Sequence, residues 1–270
     1  MAKSPIYYAG GKGSFYNNNK DLFPRLTSKM NYIEPFLGGG SVLFELEPKE
    51  AFVTDKNKEL LNFYKILKKY PNDLIEEIKE FKDTKEEYLK IRAFDRDEKY
   101  QDMNTVKRAA RFYYLNQTSY KGLWRENSKG EMNAPYGYRN KDFYPDTLTL
   151  LEASKILQNV KILRPPSNNY LSVKDFINNK SFVFLDPPLR KNEPSPRYRM
   201  AKKDFEDLRK FLEKIDRKKG KFLLLTENDY FSQELFTDKK WNQEVREDRR
   251  NIGQDAPSRK NELLVIRNYT

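Results

Sequence analysis

The stretch that most constrains this chain is Ser181-Phe182-Val183-Phe184-Leu185-Asp186-Pro187-Pro188-Leu189. Its almost continuous apolar run reads as a strand buried on both faces, the pattern of a parallel sheet covered by helices. The run ends abruptly in an acid and two prolines. Pro187 forces Asp186 into extended backbone. Neither proline has an N–H to donate, so their carbonyls remain as acceptors on a rigid platform. In open α/β sheets, ligands sit at the carboxyl ends of the strands. The competing reading is an ordinary strand stop with a solvated acid, since Asp-Pro is a common turn starter.

A second strand end has similar texture. Asn31-Tyr32-Ile33-Glu34 reads as a short strand, followed by Pro35-Phe36-Leu37, the glycines Gly38, Gly39 and Gly40, and a helix opening at Ser41. Adjacent glycines let a ligand approach the backbone without interference from Cβ atoms. The next apolar run, 51–54, ends in Asp55, where an acid is placed to accept from ribose hydroxyls. Together the glycine turn and the acid point to an adenosyl-type ligand; an ordinary strand-to-helix turn is the alternative. Tyr7-Tyr8-Ala9-Gly10-Gly11-Lys12-Gly13-Ser14 lacks the spacing of a phosphate loop, and no apolar strand precedes it. It reads as an irregular basic loop with two aromatics, leading into a helical stretch towards Phe23.

Between these regions, apolar spacing predicts helices over 58–70, 73–81, 85–94 and 106–115, with a break at Pro71 and a polar loop over 95–104. The last of these helices is expected to carry Lys107, Arg108 and Arg111 on its surface. The texture then changes over 116–137. Gly130 follows a polar triplet suited to a hairpin turn. Around it, Lys121, Arg125, Lys129 and Arg139 interleave with Tyr120, Trp124, Tyr136 and Tyr138. Such a tip suits entry into a nucleic-acid groove, with arginine on guanine edges and aromatics as wedges. A solvated hairpin pinned to the body by its aromatics is the alternative. Helices over 148–157 and 202–215 alternate with strands over 160–163, 221–226 and 261–269, and 190–199 reads as a loop beside the platform.

Composition narrows the chemistry. Among 270 residues there is no cysteine and no histidine, which excludes thiol nucleophiles, disulfides, histidine bases and the usual zinc ligands together. No metal set is expected. A net charge of +12 favours a polyanionic partner, nucleic acid before anionic membrane; lysines that merely solvate helices are the other account. Hydrophobic residues make up 37% of the chain and aromatics 14%, enough for a substantial core. No apolar run is long enough to span a bilayer, and the N-terminus lacks an apolar signal core, so a cytoplasmic protein is expected.

Read in order, Tyr8-Ala9-Gly10-Gly11-Lys12, Glu34-Pro35-Phe36-Leu37-Gly38-Gly39-Gly40-Ser41, Asp55-Lys56-Asn57, the hairpin block and Asp186-Pro187-Pro188 resemble the Dam-type, or alpha-class, N6-adenine DNA methyltransferases. The tail from Arg259 to Tyr269 is similar to that family's closing segment, so the likeness covers nearly the whole chain. It implies an α/β fold: a Rossmann-like methyltransferase sheet with an inserted helical and β-hairpin DNA-recognition domain. The expected division is 1–57 with 156–270 for cofactor and catalysis, and 58–155 for target recognition. S-adenosylmethionine is the implied methyl donor. Its expected contacts are Tyr8, Gly10, Gly11 and Lys12 from the first loop, and Glu34, Pro35, Phe36, Gly38, Gly40 and Ser41 from the second. Asp55, Asn169, Tyr170 and Asp186 complete that set. Asp186, Pro187, Pro188 and Leu189 are expected to meet an adenine taken out of the stack. Double-stranded DNA is the expected partner, met by Tyr120, Lys121, Leu123, Trp124, Arg125, Asn127, Lys129, Pro135, Tyr138 and Arg139. A cognate restriction endonuclease, a monomeric state and a bacterial, phage or viral DNA-associated setting complete the picture.

The chain departs from the family pattern at several positions. Leu189 stands where the family has an aromatic that stacks on the extruded base; such stacking is worth roughly 1–3 kcal/mol, so turnover weakened by about 10- to 100-fold is expected. Asn169 replaces an acid that holds the cofactor's adenine. Tyr7 and Lys121 replace a lysine and an asparagine of the GATC-modifying relatives, whereas Leu123, Arg125 and Pro135 match their hairpin. A non-catalytic DNA-binding regulator or decoy is the alternative these departures leave open.

Overall fold

The computed structural model describes residues 3–8, 10–138, 143–164, 169–188, 199–250 and 259–270; at 169–171, 249–250 and 259–261 it describes the backbone only. The strands are β1 (Asn31–Glu34), β2 (Ala51–Val53), β3 (Val160–Ile162), β4 (Ser181–Leu185), β5 (Lys221–Glu227), β6 (Asn242–Arg250) and β7 (Arg259–Arg267). They form one sheet in the order β3-β2-β1-β4-β5-β7-β6. The first five are mutually parallel, while β7 runs antiparallel to β5, and β6 to β7. This mostly parallel sheet is that of the expected Rossmann-like methyltransferase fold.

The helices are α1 (Gly13–Asn18), α2 (Ser41–Leu46), α3 (Lys58–Lys69), α4 (Pro71–Lys79), α5 (Lys85–Arg92), α6 (Thr105–Thr118), α7 (Thr147–Leu157), α8 (Lys202–Arg217) and α9 (Tyr230–Leu235). Successive strand residues point to opposite faces, and both faces are covered. Tyr32, Phe182, Phe184, Leu223 and Leu225 join a core with α1 to α7. Ile33, Val183, Leu185, Phe222 and Leu224 join a second core with α8 and the 3₁₀ segment Asn169–Phe176. Every residue of β4 is buried, as its apolar run predicts. Residues 58–155 share the first core with the sheet rather than building a separate one.

Four local expectations are corrected. Pro71 opens α4 rather than merely ending α3, because a proline at the first helical position forfeits no hydrogen bond. Segment 95–104 is mostly wound into the 3₁₀ turns Ala93–Arg96 and Glu98–Asp102. Arg111 is fully buried rather than on the surface of α6; it donates to the Ile91 and Arg92 carbonyls and pairs with Asp95 at 2.7 Å. Arg108 is committed to Glu59. No helix among the described residues is long and apolar enough to cross a membrane.

Candidate active site

The strand order reverses direction between β1 and β4, which lie side by side with Ile33 opposite Val183. A crevice outside the carboxyl ends of two such strands is the ligand position of open α/β sheets. Glu34 ends β1 there, and Asp186-Pro187-Pro188 follows β4. The two acids therefore converge because each closes an apolar strand of the same register, though they lie far apart in the chain.

Lys12 crosses this crevice. Only 4% of it is exposed. Its ammonium donates to the Gly10 carbonyl at 2.7 Å, lies 3.0 Å from Asp186 Oδ2 and 3.8 Å from Asp248 Oδ2. At 3.8 Å the Asp248 contact is an ion pair rather than a hydrogen bond. Lys12 thus ties the first loop to the β4 platform and to β6. Asp248, itself buried, is absent from the sequence-based set. Its strand, Asn242-Gln243-Glu244-Val245-Arg246-Glu247-Asp248, carries one apolar residue and no strand signature.

Glu34 is 3% exposed, and its Oε2 has no hydrogen-bond partner among the described residues. Burial pushes its carboxyl well above the usual range; the Tyr32 hydroxyl opposes that shift, while Asp186 and Asp55 add to it. Asp55 is buried too, and burial raises its carboxyl against the backbone N–H groups that lower it. Asp55 Oδ2 accepts from Gly38 N and Oδ1 from Asn57 N, both at 2.9 Å. It therefore fixes the glycine turn, and ribose hydroxyls would need its remaining lone pairs.

The two loops pack on each other. A Cβ on Gly39 would lie 2.8 Å from Tyr8 Cβ, and one on Gly38 would lie 3.0 Å from the Tyr8 ring. The missing side chains thus first make room for Tyr8, a need that spacing alone does not reveal. The Gly39 carbonyl accepts from Tyr64 and Ser4. Gly11 faces Ser41, since a Cβ there would lie 3.1 Å from Ser41 Oγ. Gly40 caps α2 at φ 63°. Pro35 and Pro187 are buried, Pro188 is half-buried, and Phe36 packs into the second core. The side chains of Asn169 and Tyr170, and the whole of Leu189, lie outside the described residues.

The basic stretch forms a hairpin. Ser119 bridges Tyr136 and Glu126 bridges Met132, both antiparallel. Its side chains alternate: Leu123, Arg125 and Asn127 are half-buried, Trp124 and Glu126 buried. Trp124 is thereby corrected from a groove-facing wedge to an anchor. Its ring packs 4.5 Å from Phe112, and its N–H donates to Glu126. Tyr136 is likewise tucked in, its hydroxyl 2.9 Å from Asp83 Oδ1. Asn127 is occupied by the turn, accepting from Lys129 N and Glu131 N and donating to Glu131 Oε2. Tyr120, Lys121, Lys129, Pro135 and Tyr138 are exposed; Arg139 lies outside the described residues. Asn116, buried in α6, clamps the Tyr7 backbone by accepting from its N–H and donating to its carbonyl, which leaves the Tyr7 ring 61% exposed. This clamp joins the first loop to the hairpin region and has no signal in the sequence.

Comparison with known proteins adds one family match and three relatives. Residues 8–252 match the family described as D12 class N6 adenine-specific DNA methyltransferase. The chain is 37% identical over 242 residues to the type II methyltransferase M.MjaIII of Methanocaldococcus jannaschii, covering 81% of this chain and 82% of that protein. It is 32% identical over 272 residues to the type II methyltransferase M1.LlaDCHI of Lactococcus lactis subsp. cremoris, covering 97% and 94%, and 29% identical over 188 residues to the DNA adenine methylase of Vibrio cholerae, covering 68% and 64%.

Proposed function

The chain belongs to the D12 class of N6 adenine-specific DNA methyltransferases, and from that premise we propose that it takes the methyl group from S-adenosylmethionine and places it on an adenine held at the Asp186-Pro187-Pro188 platform. The observation that carries this reading is the convergence of Glu34 and Asp186 at the strand-order reversal, with buried Lys12 paired to Asp186.

The pocket suits that donor. A buried carboxylate oxygen without a hydrogen-bond partner is costly unless a ligand satisfies it. Glu34 Oε2 is such an atom, and Asp55 and Asp186 lie near enough to raise the Glu34 pKa further. In a chain of net charge +12, this acidic floor favours a cation. S-adenosylmethionine carries an ammonium and a sulfonium; when bound, it supplies an electrophilic methyl group. Glu34 takes the ammonium, Asp55 the ribose, and the loops at Gly10–Gly11 and Gly38–Ser41 line the remainder.

The protein's own groups then act on the base. The lone pair of adenine N6 is delocalised into the ring, so the amino group is a poor nucleophile. The Asp186 carboxylate and the Pro187 carbonyl each accept a hydrogen bond from one amino hydrogen, which localises the lone pair towards the methyl; as N6 bonds to that carbon its bond to sulfur breaks, and N6 releases one proton towards Asp186. Lys12 holds Asp186 in orientation through Oδ2, and the two prolines fix the backbone. No cysteine or histidine is required. Residues 58–155 serve as the recognition domain. Tyr120, Lys121, Leu123, Arg125, Lys129 and Pro135 face double-stranded DNA from the hairpin. The family resemblance to type II modification enzymes supports a companion restriction endonuclease.

Asp186→Ala tests the assignment. Duplex DNA binding should survive while methyl transfer at saturating donor drops at least about 100-fold, the scale of losing one aligned transition-state interaction. Near-normal transfer would remove Asp186 from its role. Leu189→Tyr should raise turnover; an unchanged rate would argue against a stacking deficit.

A further inference from the structure

We infer that Asn133 is a positioning residue for sequence discrimination: it presets the Arg125 guanidinium so that only one edge of it meets the target. The inference rests on the reading of the hairpin as the sequence reader.

Arg125 Nε donates to Asn133 Oδ1 at 2.7 Å, and Arg125 Nη2 donates to the Asn133 carbonyl at 3.1 Å. In return, Asn133 N donates to the Arg125 carbonyl at 2.9 Å. The side edge of the guanidinium, formed by Nε and Nη2, is therefore spent on Asn133. A guanidinium has five N–H donors in a fixed plane, so the end edge, Nη1 with the second Nη2 hydrogen, is what a ligand can meet. A long side chain loses rotamer freedom when it binds, and here that freedom is already removed. A preset fork discriminates better than a loose one, because a mismatched base cannot be reached by swinging the arm.

The strand carrying Asn133 is itself fixed from below. Asp95 Oδ2 accepts from Met132 N at 2.7 Å and from Arg111 Nη2 at 2.7 Å. Arg111 is in turn held by the Ile91 and Arg92 carbonyls and the Tyr100 hydroxyl. One residue beyond Asn133, the Ala134 carbonyl accepts from Tyr88 and Arg92. Asn133 thus sits between two anchored neighbours, and the buried Arg111–Asp95 pair sets the register of the reading strand. Removing Asp95 alone would leave a buried guanidinium without its counter-charge, and loss of fold would obscure the result. Asn133 is half-buried on the hairpin and is the better probe.

The experiment exposes the full-length protein to a random-sequence duplex library and reads methylation by sequencing. Asn133→Ala should lower the base preference at the position governed by Arg125 by about tenfold, within the 1–3 kcal/mol of a good bidentate contact. Total methylation and affinity for non-specific duplex should be preserved. Asn133→Asp, which keeps the acceptor for Nε, should restore most of the preference. Asn133→Ala combined with Arg125→Ala should be no worse than Arg125→Ala alone, as expected of two residues acting as one unit. Preference unchanged by Asn133→Ala but lost in Arg125→Ala would overturn the inference and leave the reader intact. Preference unchanged in Arg125→Ala would overturn the reading of Arg125 itself, and the inference with it. Additive losses in the double variant would assign Asn133 a separate role and also overturn it.

Discussion

Glu34 shows how one residue links burial to ligand choice. Its folded-state carboxyl is raised well above the usual range, by burial first. A carboxyl raised on folding contributes stability below its unfolded pKa and loses it as pH rises through the folded value. The charged groups facing it, Asp186 and Asp55, share that sign, and the Tyr32 hydroxyl opposes it. A cationic ligand prefers the ionised form, so affinity for S-adenosylmethionine should tighten as pH rises through the raised range of Glu34, and Glu34→Gln should flatten the dependence and weaken binding. Calorimetric titrations at several pH values check this; equal slopes in both proteins would contradict it. Lys12→Met should leave Asp186 and Asp248 facing each other without their ammonium. A loss of about 3–5 kcal/mol is the scale of breaking a buried pair, read as a lower denaturation midpoint, and methyl transfer should fall with it. The carboxylates at the strand ends were legible from their neighbours in sequence. Asp248 was not, because its place beside Lys12 depends on the pairing of β6 with β7.

At the scale of elements, those with clear apolar spacing or a continuous apolar run were readable. These include β1, β2, β4, β5 and α8, whose buried Phe205, Leu208, Phe211, Leu212 and Ile215 line one stripe. β6 was missed. It is one edge of the sheet, charged at most positions, with Val245 its apolar exception and 47% exposed. Charge of this kind discourages strand addition at an edge, and it also erases the strand's signature. The hairpin was found from its turn and basic residues, but the inward side of its alternation was not, because Trp124 and Arg125 look equally suited to DNA. The cap of α3 makes a further test. Asn57 Oδ1 accepts from Glu59 N and Leu60 N at 3.0 and 3.1 Å. Asn57→Ala should cost about 1 kcal/mol, read as a lower urea midpoint at unchanged slope. A wild-type midpoint would show that the cap is dispensable.

The whole molecule separates its charges. The chain carries a net charge of +12, while the acids Glu34, Asp55 and Asp186 lie together at the strand ends; on the proposed reading the first draws the polyanion and the second the cationic donor. Lys129, exposed at the hairpin tip, should contribute to duplex affinity without regard to sequence. Lys129→Ala should weaken binding to all duplexes alike and make the slope of log affinity against log salt shallower by about 1. An unchanged slope would take the tip off the DNA. The buried strands and a site at their carboxyl ends follow from local apolar runs, and the family resemblance implies the Rossmann-like sheet, which is why the fold was legible. The joints between segments were not: Asn116 on Tyr7, Tyr64 on Gly39 and Asp95 on Met132 are contacts between residues whose types signal nothing by themselves.

The most direct test of the central claim is the identity of the methylated product. Full-length protein, S-adenosylmethionine labelled in its methyl group and mixed-sequence duplex DNA are incubated together, and the DNA is digested to nucleosides. The account predicts label in N6-methyladenine for the wild-type chain and its loss in Asp186→Ala. Label in a methylated cytosine, or none at high enzyme concentration while duplex binding persists, would contradict it.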